Sequence, residues 1–170
     1  MKSNARRIAI VTVFAALYAI GVIFLAPISF GVYQVRLADS LLPLSMIFGI
    51  PSAIGFALGC VVSNVYGGLG IVDVIGGALA NFVACTVAWY AGKKGKTAQR
   101  FLGSIAETII VALIVGGYLS LIFQVPLEIG LLGVLVGSLI AINVIGFPIQ
   151  EVIRRNNEMM NNDSSGARAE

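Results

Sequence analysis

The sequence contains no histidine, and only 11% of its 170 residues carry charge. Without histidine there is no imidazole base for a catalytic triad and no imidazole metal ligand. Its two cysteines, Cys60 and Cys85, both lie in apolar runs and form no CxxC pair. They read as small core hydrophobes rather than a disulfide framework or a zinc site. A phosphate-binding loop is missing too. Gly95-Lys96-Thr97 matches its last residues, but Tyr90 stands where the first glycine belongs and no strand precedes it. A net charge of +3, confined to a few clusters and without a basic face of stacking aromatics, gives no nucleic-acid surface. No nucleophile–base or metal constellation remains, so the chain does not read as an enzyme.

Apolar residues make up 58% of the chain. A soluble domain carries roughly 25% charged residues, so this is an all-α integral membrane protein embedded in a lipid bilayer. We expect one membrane domain over residues 1–155 and a polar, disordered tail over 156–170, rich in Asn and Ser. The uncharged run from Ile8 to Phe30 is longer than the ~7–15 residues of a signal-peptide core, and is read as the first membrane helix, Ile8 to Leu25, ended by Pro27. Two small-xxx-small spacings on it, Ala5/Ala9 and Ala15/Ala19, allow another helix to approach closely, whether from a partner or from this chain. Ser29 to Arg36 reads as a short, extended connection.

The run from Leu37 to Val72 carries one charge, Asp39, and is just long enough for two short helices. Gly49-Ile50-Pro51-Ser52 is a turn signal that divides it into Leu37–Phe48 and Pro51–Tyr66. Three further spans follow at Ile71–Ala91, Phe101–Phe123 and Ile129–Ile149. With six spans, Lys2, Arg6 and Arg7, the Lys93–Arg100 loop, and Arg154, Arg155 and Arg168 all fall on one side. The positive-inside rule then puts both termini in the cytoplasm.

Within this apolar frame the segment from Tyr33 to Asn81 holds Arg36, Asp39, Asn64, Tyr66, Asp73 and Asn81 among many glycines. Charge in lipid is costly, so such residues face a protein interior or a water-filled cavity. Singly, each has a plain alternative. Arg36 and Asp39 neutralise one another three residues apart, Asp73 starts a helix, Asn64 and Asn81 bond neighbouring helices, and Tyr66 anchors at the interface. Together, near the outer half of one bundle, they read as a small-molecule pocket open to the medium. Glu107 and Asn143 fall toward the cytoplasmic half and are assigned to packing or coupling.

The run Gln34-Val35-Arg36-Leu37-Ala38-Asp39-Ser40-Leu41, with Gly59-Cys60-Val61-Val62-Ser63-Asn64, Gly70-Ile71-Val72-Asp73-Val74-Ile75-Gly76-Gly77 and Leu79-Ala80-Asn81, resembles the queuosine-precursor transporter (QueT) family. The resemblance covers Ile8 to Trp89 well and the last two helices only in general character. It departs from the family pattern at Asp39, where glutamate is usual, and at Asn81, where threonine is usual. The resemblance implies a six-helix S-component of an energy-coupling factor (ECF) transporter in a prokaryotic plasma membrane. Such a subunit binds substrate near the outer face and docks on a T-component driven by two ATPase subunits. It needs no cofactor of its own, since the partners hydrolyse ATP. It also implies docking through Ala15 and Ala19 and a deazaguanine ligand, with Asp39 and Asp73 on its N–H donors and cationic arm. Asn64 or Asn81 would meet its carbonyl, and Phe30, Tyr33 or Tyr66 its ring face. The alternative is a stand-alone secondary permease for a nucleobase or vitamin.

Overall fold

A computed structural model describes residues 2–31 and 34–166, with side chains over 4–31 and 34–159. Every element in that range is helical. In order they are α1 (Lys2–Phe24), α2 (Ala26–Ser29), a 3₁₀ helix (Leu37–Leu44), α3 (Ser45–Phe48), α4 (Ile50–Gly67), α5 (Ile71–Gly92), α6 (Thr97–Ile122), α7 (Leu127–Ser138), a π-helix (Leu139–Gly146) and α8 (Phe147–Gly166). The segments α7, π and α8 form one continuous rod. A helix satisfies its backbone groups within its own segment, as long apolar runs away from water require.

Five helical stretches are long and apolar enough to cross a membrane: Asn4–Phe24, Ile50–Gly67, Ile71–Gly92, Thr97–Ile122 and Leu127–Met159. The expected second span, Leu37–Phe48, is a shorter apolar helix. Pro43 lies inside it and offers no amide hydrogen, which suits the tighter 3₁₀ winding. That winding has a consequence for reach. Arg36 lies beside Asp73 at one end of α5, while a Cβ on Gly49 would meet the Trp89 indole near the other end. The two α5 residues are about 24 Å apart at 1.5 Å per residue. A 3₁₀ rise of about 2 Å lets the short segment run almost the length of α5.

The breaks fall where the sequence placed them. Gly49, at φ +74°, turns the chain ahead of Pro51 in the first turn of α4. Gly68, at φ +71°, ends α4 in the left-handed region where glycine is favoured. Gly55 and Gly59 allow α4 to lie against α1: a Cβ at Gly59 would stand 2.6 Å from the Ala15 carbonyl oxygen and 3.0 Å from the Tyr18 Cβ. Ala15 and Ala19, expected on a partner-docking face, are therefore taken up largely inside the chain, with Ala19 buried. The exposed small residues of α1 are Ala5, Ala9, Thr12 and Ala16.

Two features differ from expectation. The rod passes through a π segment between Gly137 and Gly146, where the backbone of Gln34–Val35 and of Ser40 crosses so closely that any Cβ would collide. The stretch from Asn156, expected to be disordered, continues α8 as far as Gly166, and the Arg154–Glu158 pair at 3.0 Å supports one of its turns. Val32 and Tyr33 lie outside the described residues.

One end of the bundle gathers the basic residues. Arg6 and Arg7 lie there with Trp89, Lys93 stacks on the Trp89 ring at 4.2 Å, and Arg100 grips Glu151 through two nitrogens. The opposite end carries Ser29, Phe30, Arg36, Gly67, Asp73 and Tyr118, linked by contacts among themselves. This second end holds the polar site.

Candidate functional site

Arg36, Asp39, Asn64, Asp73 and Asn81 are all buried. They come from the start of the 3₁₀ helix (Arg36, Asp39), from α4 (Asn64) and from α5 (Asp73, Asn81). Arg36 immediately precedes the 3₁₀ helix, and the chain just before it is pinned where the Val35 amide donates to the Ile28 carbonyl at 3.0 Å. Its Nε donates to the Ser29 carbonyl at 3.4 Å, and its guanidinium lies over the Phe30 ring at 5.6 Å. Its ion pair is with Asp73, Nη2 to Oδ1 at 3.7 Å, and not with the nearby Asp39.

Asp39 turns instead to α1, where the Tyr18 hydroxyl donates to its Oδ1 at 2.6 Å. Asp73 sits in the first turn of α5, where free amides favour a carboxylate. Its Oδ1 also accepts from the Tyr118 hydroxyl at 2.9 Å, which brings α6 into the site. Asn64 ties α4 to α5 by donating from Nδ2 to the Asp73 main-chain oxygen at 2.8 Å. Glycines make room for these contacts. A Cβ on Gly77 would stand 2.6 Å from Asn64 Nδ2, and one on Gly76 would stand 2.7 Å from the Tyr118 ring.

Beneath this layer lies a small cavity lined by Gln34, Arg36, Asp39, Asn81, Val111, Val115, Val134 and Ser138. It leaves about 10 Å³, room for roughly one water molecule. Five buried atoms of the cluster have no hydrogen-bond partner among the described residues: Gln34 Nε2, Arg36 Nη2, Asn64 Oδ1, Asp73 Oδ2 and Asn81 Nδ2. Leaving such groups unmet costs about 1–3 kcal/mol each. The three donors, on Gln34, Arg36 and Asn81, belong to residues that line this cavity with Val111, Val115 and Val134, and the two acceptors, on Asn64 and Asp73, lie in the layer above it. With both carboxylates ionised, Arg36, Asp39 and Asp73 sum to one negative charge. The arrangement suits a polar molecule that both donates and accepts and that carries positive charge.

Tyr66 does not join the cluster; its side chain is 63% exposed on the outside of α4. Phe30 covers the Arg36 guanidinium and the space above Gly67, where a Cβ would collide with its ring. Tyr33, the other expected ring cover, lies outside the described residues. Glu107 and Asn143 stand apart from the site: Ser45 donates to Glu107 at 3.2 Å, and Asn143 bridges Thr108 at 2.6 Å and Ser104 at 2.9 Å between α6 and the π segment.

Three residues of the site escaped the sequence reading: Tyr18, Gln34 and Tyr118. Tyr18 lies between Ala15 and Ala19 on the face of α1 that turned out to be inward. Tyr118 follows Gly116-Gly117 at the same end of the bundle as Asp73, a placement that pairing α5 with α6 as neighbours would have exposed. Among the described residues no group of three or more His, Cys, Asp or Glu side chains forms a metal-ligand set.

The profile of the family described as QueT transporter matches residues 8–155, most of the chain. Among curated proteins and among solved structures, no match to the chain is found. The chain belongs to the QueT transporter family and is a multi-pass membrane transport protein.

Proposed function

We propose that the protein is the substrate-capturing S-component of an ECF-type uptake system in a prokaryotic plasma membrane, and that its ligand is a deazaguanine of the queuosine-precursor type. The observation that carries this reading is the set of five buried atoms without a hydrogen-bond partner among the described residues: Gln34 Nε2, Arg36 Nη2 (which has only the long ion pair to Asp73), Asn64 Oδ1, Asp73 Oδ2 and Asn81 Nδ2. A deazaguanine offers a carbonyl for the donors, adjacent ring and amino N–H groups for a carboxylate, and, when aminomethylated, a cation. The negative balance of Arg36, Asp39 and Asp73 favours that cation.

In this reading the 3₁₀–α3 segment is the sixth crossing. The basic end faces the cytoplasm by the positive-inside rule, and the polar site opens toward the outside. The cavity beneath Arg36 is too small for a bicyclic base, so binding parts the 3₁₀ helix from the rod or from α5. A T-component and two ATPase subunits supply the driving force. The exposed Ala9, Thr12 and Ala16 line one face of α1 and offer the partner a close approach.

Calorimetric titration of the purified protein with aminomethyl-deazaguanine, queuine, guanine and riboflavin tests the ligand. Tight binding of a deazaguanine with riboflavin silent is the expected result, and silence toward every deazapurine from folded protein overturns the ligand. Ion-gradient-driven uptake by the protein reconstituted alone would favour a stand-alone permease instead.

A further inference from the structure

We propose that the basic end of the bundle carries a specific site for an anionic phospholipid, in a groove between α1 and the α3–α4 turn. The groove measures about 650 Å³ and lies far from the polar cluster, at the other end of α5. Its composition changes along its length. Arg6 and Arg7 stand at one end, Ile10 and Val11 follow one turn deeper on α1, and Ile54 of α4 faces them. Phe48 and Trp89 form the remaining wall.

The charge is uncompensated. Among the described residues, no carboxylate lies within ion-pair distance of Arg6, Arg7 or Lys93; Glu151 is committed to Arg100, and Glu158 to Arg154. The Lys93 ammonium stacks on the rings of Trp89, a wall of the groove, and of Tyr90, at 4.2 and 4.5 Å. Two cations therefore line a concavity whose walls are aliphatic and aromatic, with a third, Lys93, stacked on its Trp89 wall. A free phosphate would find the cations but leave the apolar walls exposed. A neutral lipid would cover the walls but leave the cations unmet. An anionic phospholipid does both, with its phosphate between Arg6 and Arg7 and one acyl chain along Ile10, Val11 and Ile54. Trp89 lies near the basic end of α5, tryptophans are favoured at membrane interfaces, and basic pockets between helices on one side of a membrane protein suit anionic headgroups.

The turn that shapes the groove depends on Gly49. Its φ of +74° aims the chain from α3 into α4, and a Cβ there would press on the Trp89 Nε1 at 3.3 Å. The groove is a built feature of the fold rather than a gap between loosely packed side chains.

Trp89 is the chain's single tryptophan, so its fluorescence reports on this groove without interference. The full-length protein is reconstituted in phosphatidylcholine vesicles containing increasing brominated phosphatidylglycerol, and separately brominated phosphatidylcholine. Brominated phosphatidylglycerol is expected to quench Trp89 at far lower mole fraction than brominated phosphatidylcholine, and free glycerol phosphate is expected not to relieve the quenching. Each arginine near a headgroup contributes about fivefold in lipid affinity, so Arg6→Gln with Arg7→Gln should weaken the preference roughly thirtyfold. Arg6→Lys with Arg7→Lys should retain most of it, and Lys94→Gln should leave it unchanged. Native mass spectrometry of the wild type, which needs no variant, should show one retained phosphatidylglycerol. Equal quenching by both lipids, relief by glycerol phosphate, or an unaltered preference in the double glutamine variant overturns the site. None of these readouts depends on substrate, so they stand or fall apart from the deazaguanine reading.

Discussion

Replacing Asp73 by Asn separates the two tasks of that carboxylate. The change keeps the side-chain volume and an oxygen for the Tyr118 hydroxyl, which now bonds at 2.9 Å. It removes the charge that faces Arg36 at 3.7 Å. With an effective dielectric constant near 20, that pair is worth about 4–5 kcal/mol of Coulomb energy. Breaking a buried pair by removing one partner typically costs about 3–5 kcal/mol, because the other charge stays buried. Against a total stability of about 5–15 kcal/mol, Asp73→Asn is a severe lesion. The double variant Arg36→Met with Asp73→Asn removes both charges of the pair, so neither is left buried without its partner, and the Asn oxygen still accepts from Tyr118. Thermal unfolding in detergent should therefore fall sharply for Asp73→Asn and recover in the double variant. Ligand binding should not recover. Losing a charged contact to the ligand costs about 2–5 kcal/mol, a weakening of roughly 30-fold to several thousandfold at 1.4 kcal/mol per tenfold. A double variant that is stable and still binds a deazaguanine with wild-type affinity would refute the assignment of Asp73 to the site, whatever the stability data show.

Tyr18→Phe leaves Asp39 Oδ1 buried without the donor it has at 2.6 Å. It should cost about 1–3 kcal/mol in unfolding free energy and weaken ligand binding, both measurable on one purified sample. Gly77→Ala puts a Cβ 2.6 Å from Asn64 Nδ2 and 2.9 Å from Cys60 Sγ. It should destabilise by about 1–3 kcal/mol through overpacking and reduce affinity by displacing Asn64, as calorimetry would record. Gly59→Leu forces α4 away from Ala15 and should lower the unfolding temperature more than Gly77→Ala, since its obstacle is backbone. Tyr66→Ala, at a side chain 63% exposed, should leave affinity unchanged; a tenfold loss would place Tyr66 back in the site.

The buried polar residues of the candidate site were legible because the bilayer makes polar side chains conspicuous. Arg36, Asp39, Asn64, Asp73 and Asn81 stand out within apolar runs, and all five are buried. Tyr66 stood out for the same reason but faces outward, because a tyrosine can be placed at an interface at little cost. What sequence could not supply was pairing. Arg36 and Asp39 are three residues apart and suggest a local pair, yet the 3₁₀ winding and the fold direct Arg36 to Asp73 and Asp39 to Tyr18. Tyr18 carried no signal against its surroundings, since it sits in a helix that looked uniformly apolar, and Gln34, although it opens the family-like run, sits in a loop where a polar side chain is ordinary. The π segment was hidden as well. Its cause is tertiary, the crossing of the 34–40 backbone over Gly137 and Gly146.

The same pairings tie the site to the outer surface of the bundle. Asp39 is fastened to Tyr18, and Tyr18 lies on α1 where Gly59 permits contact closer than any other residue would. Asp73 is fastened to α6 through Tyr118 and to α4 through Asn64. A ligand that inserts among Gln34, Arg36 and Asn81 must lengthen or redirect at least one of these bonds, because the present cavity holds roughly one water molecule. The α1–α4 contact is too close to absorb movement by side-chain rotation, so displacement of Tyr18 carries the α1 backbone with it. The far side of that helix presents Ala9, Thr12 and Ala16 to the surroundings. On the proposed reading, a ligand that moves Asp39 would therefore also move the face of α1 on which a partner would dock, through one tyrosine hydroxyl and one glycine.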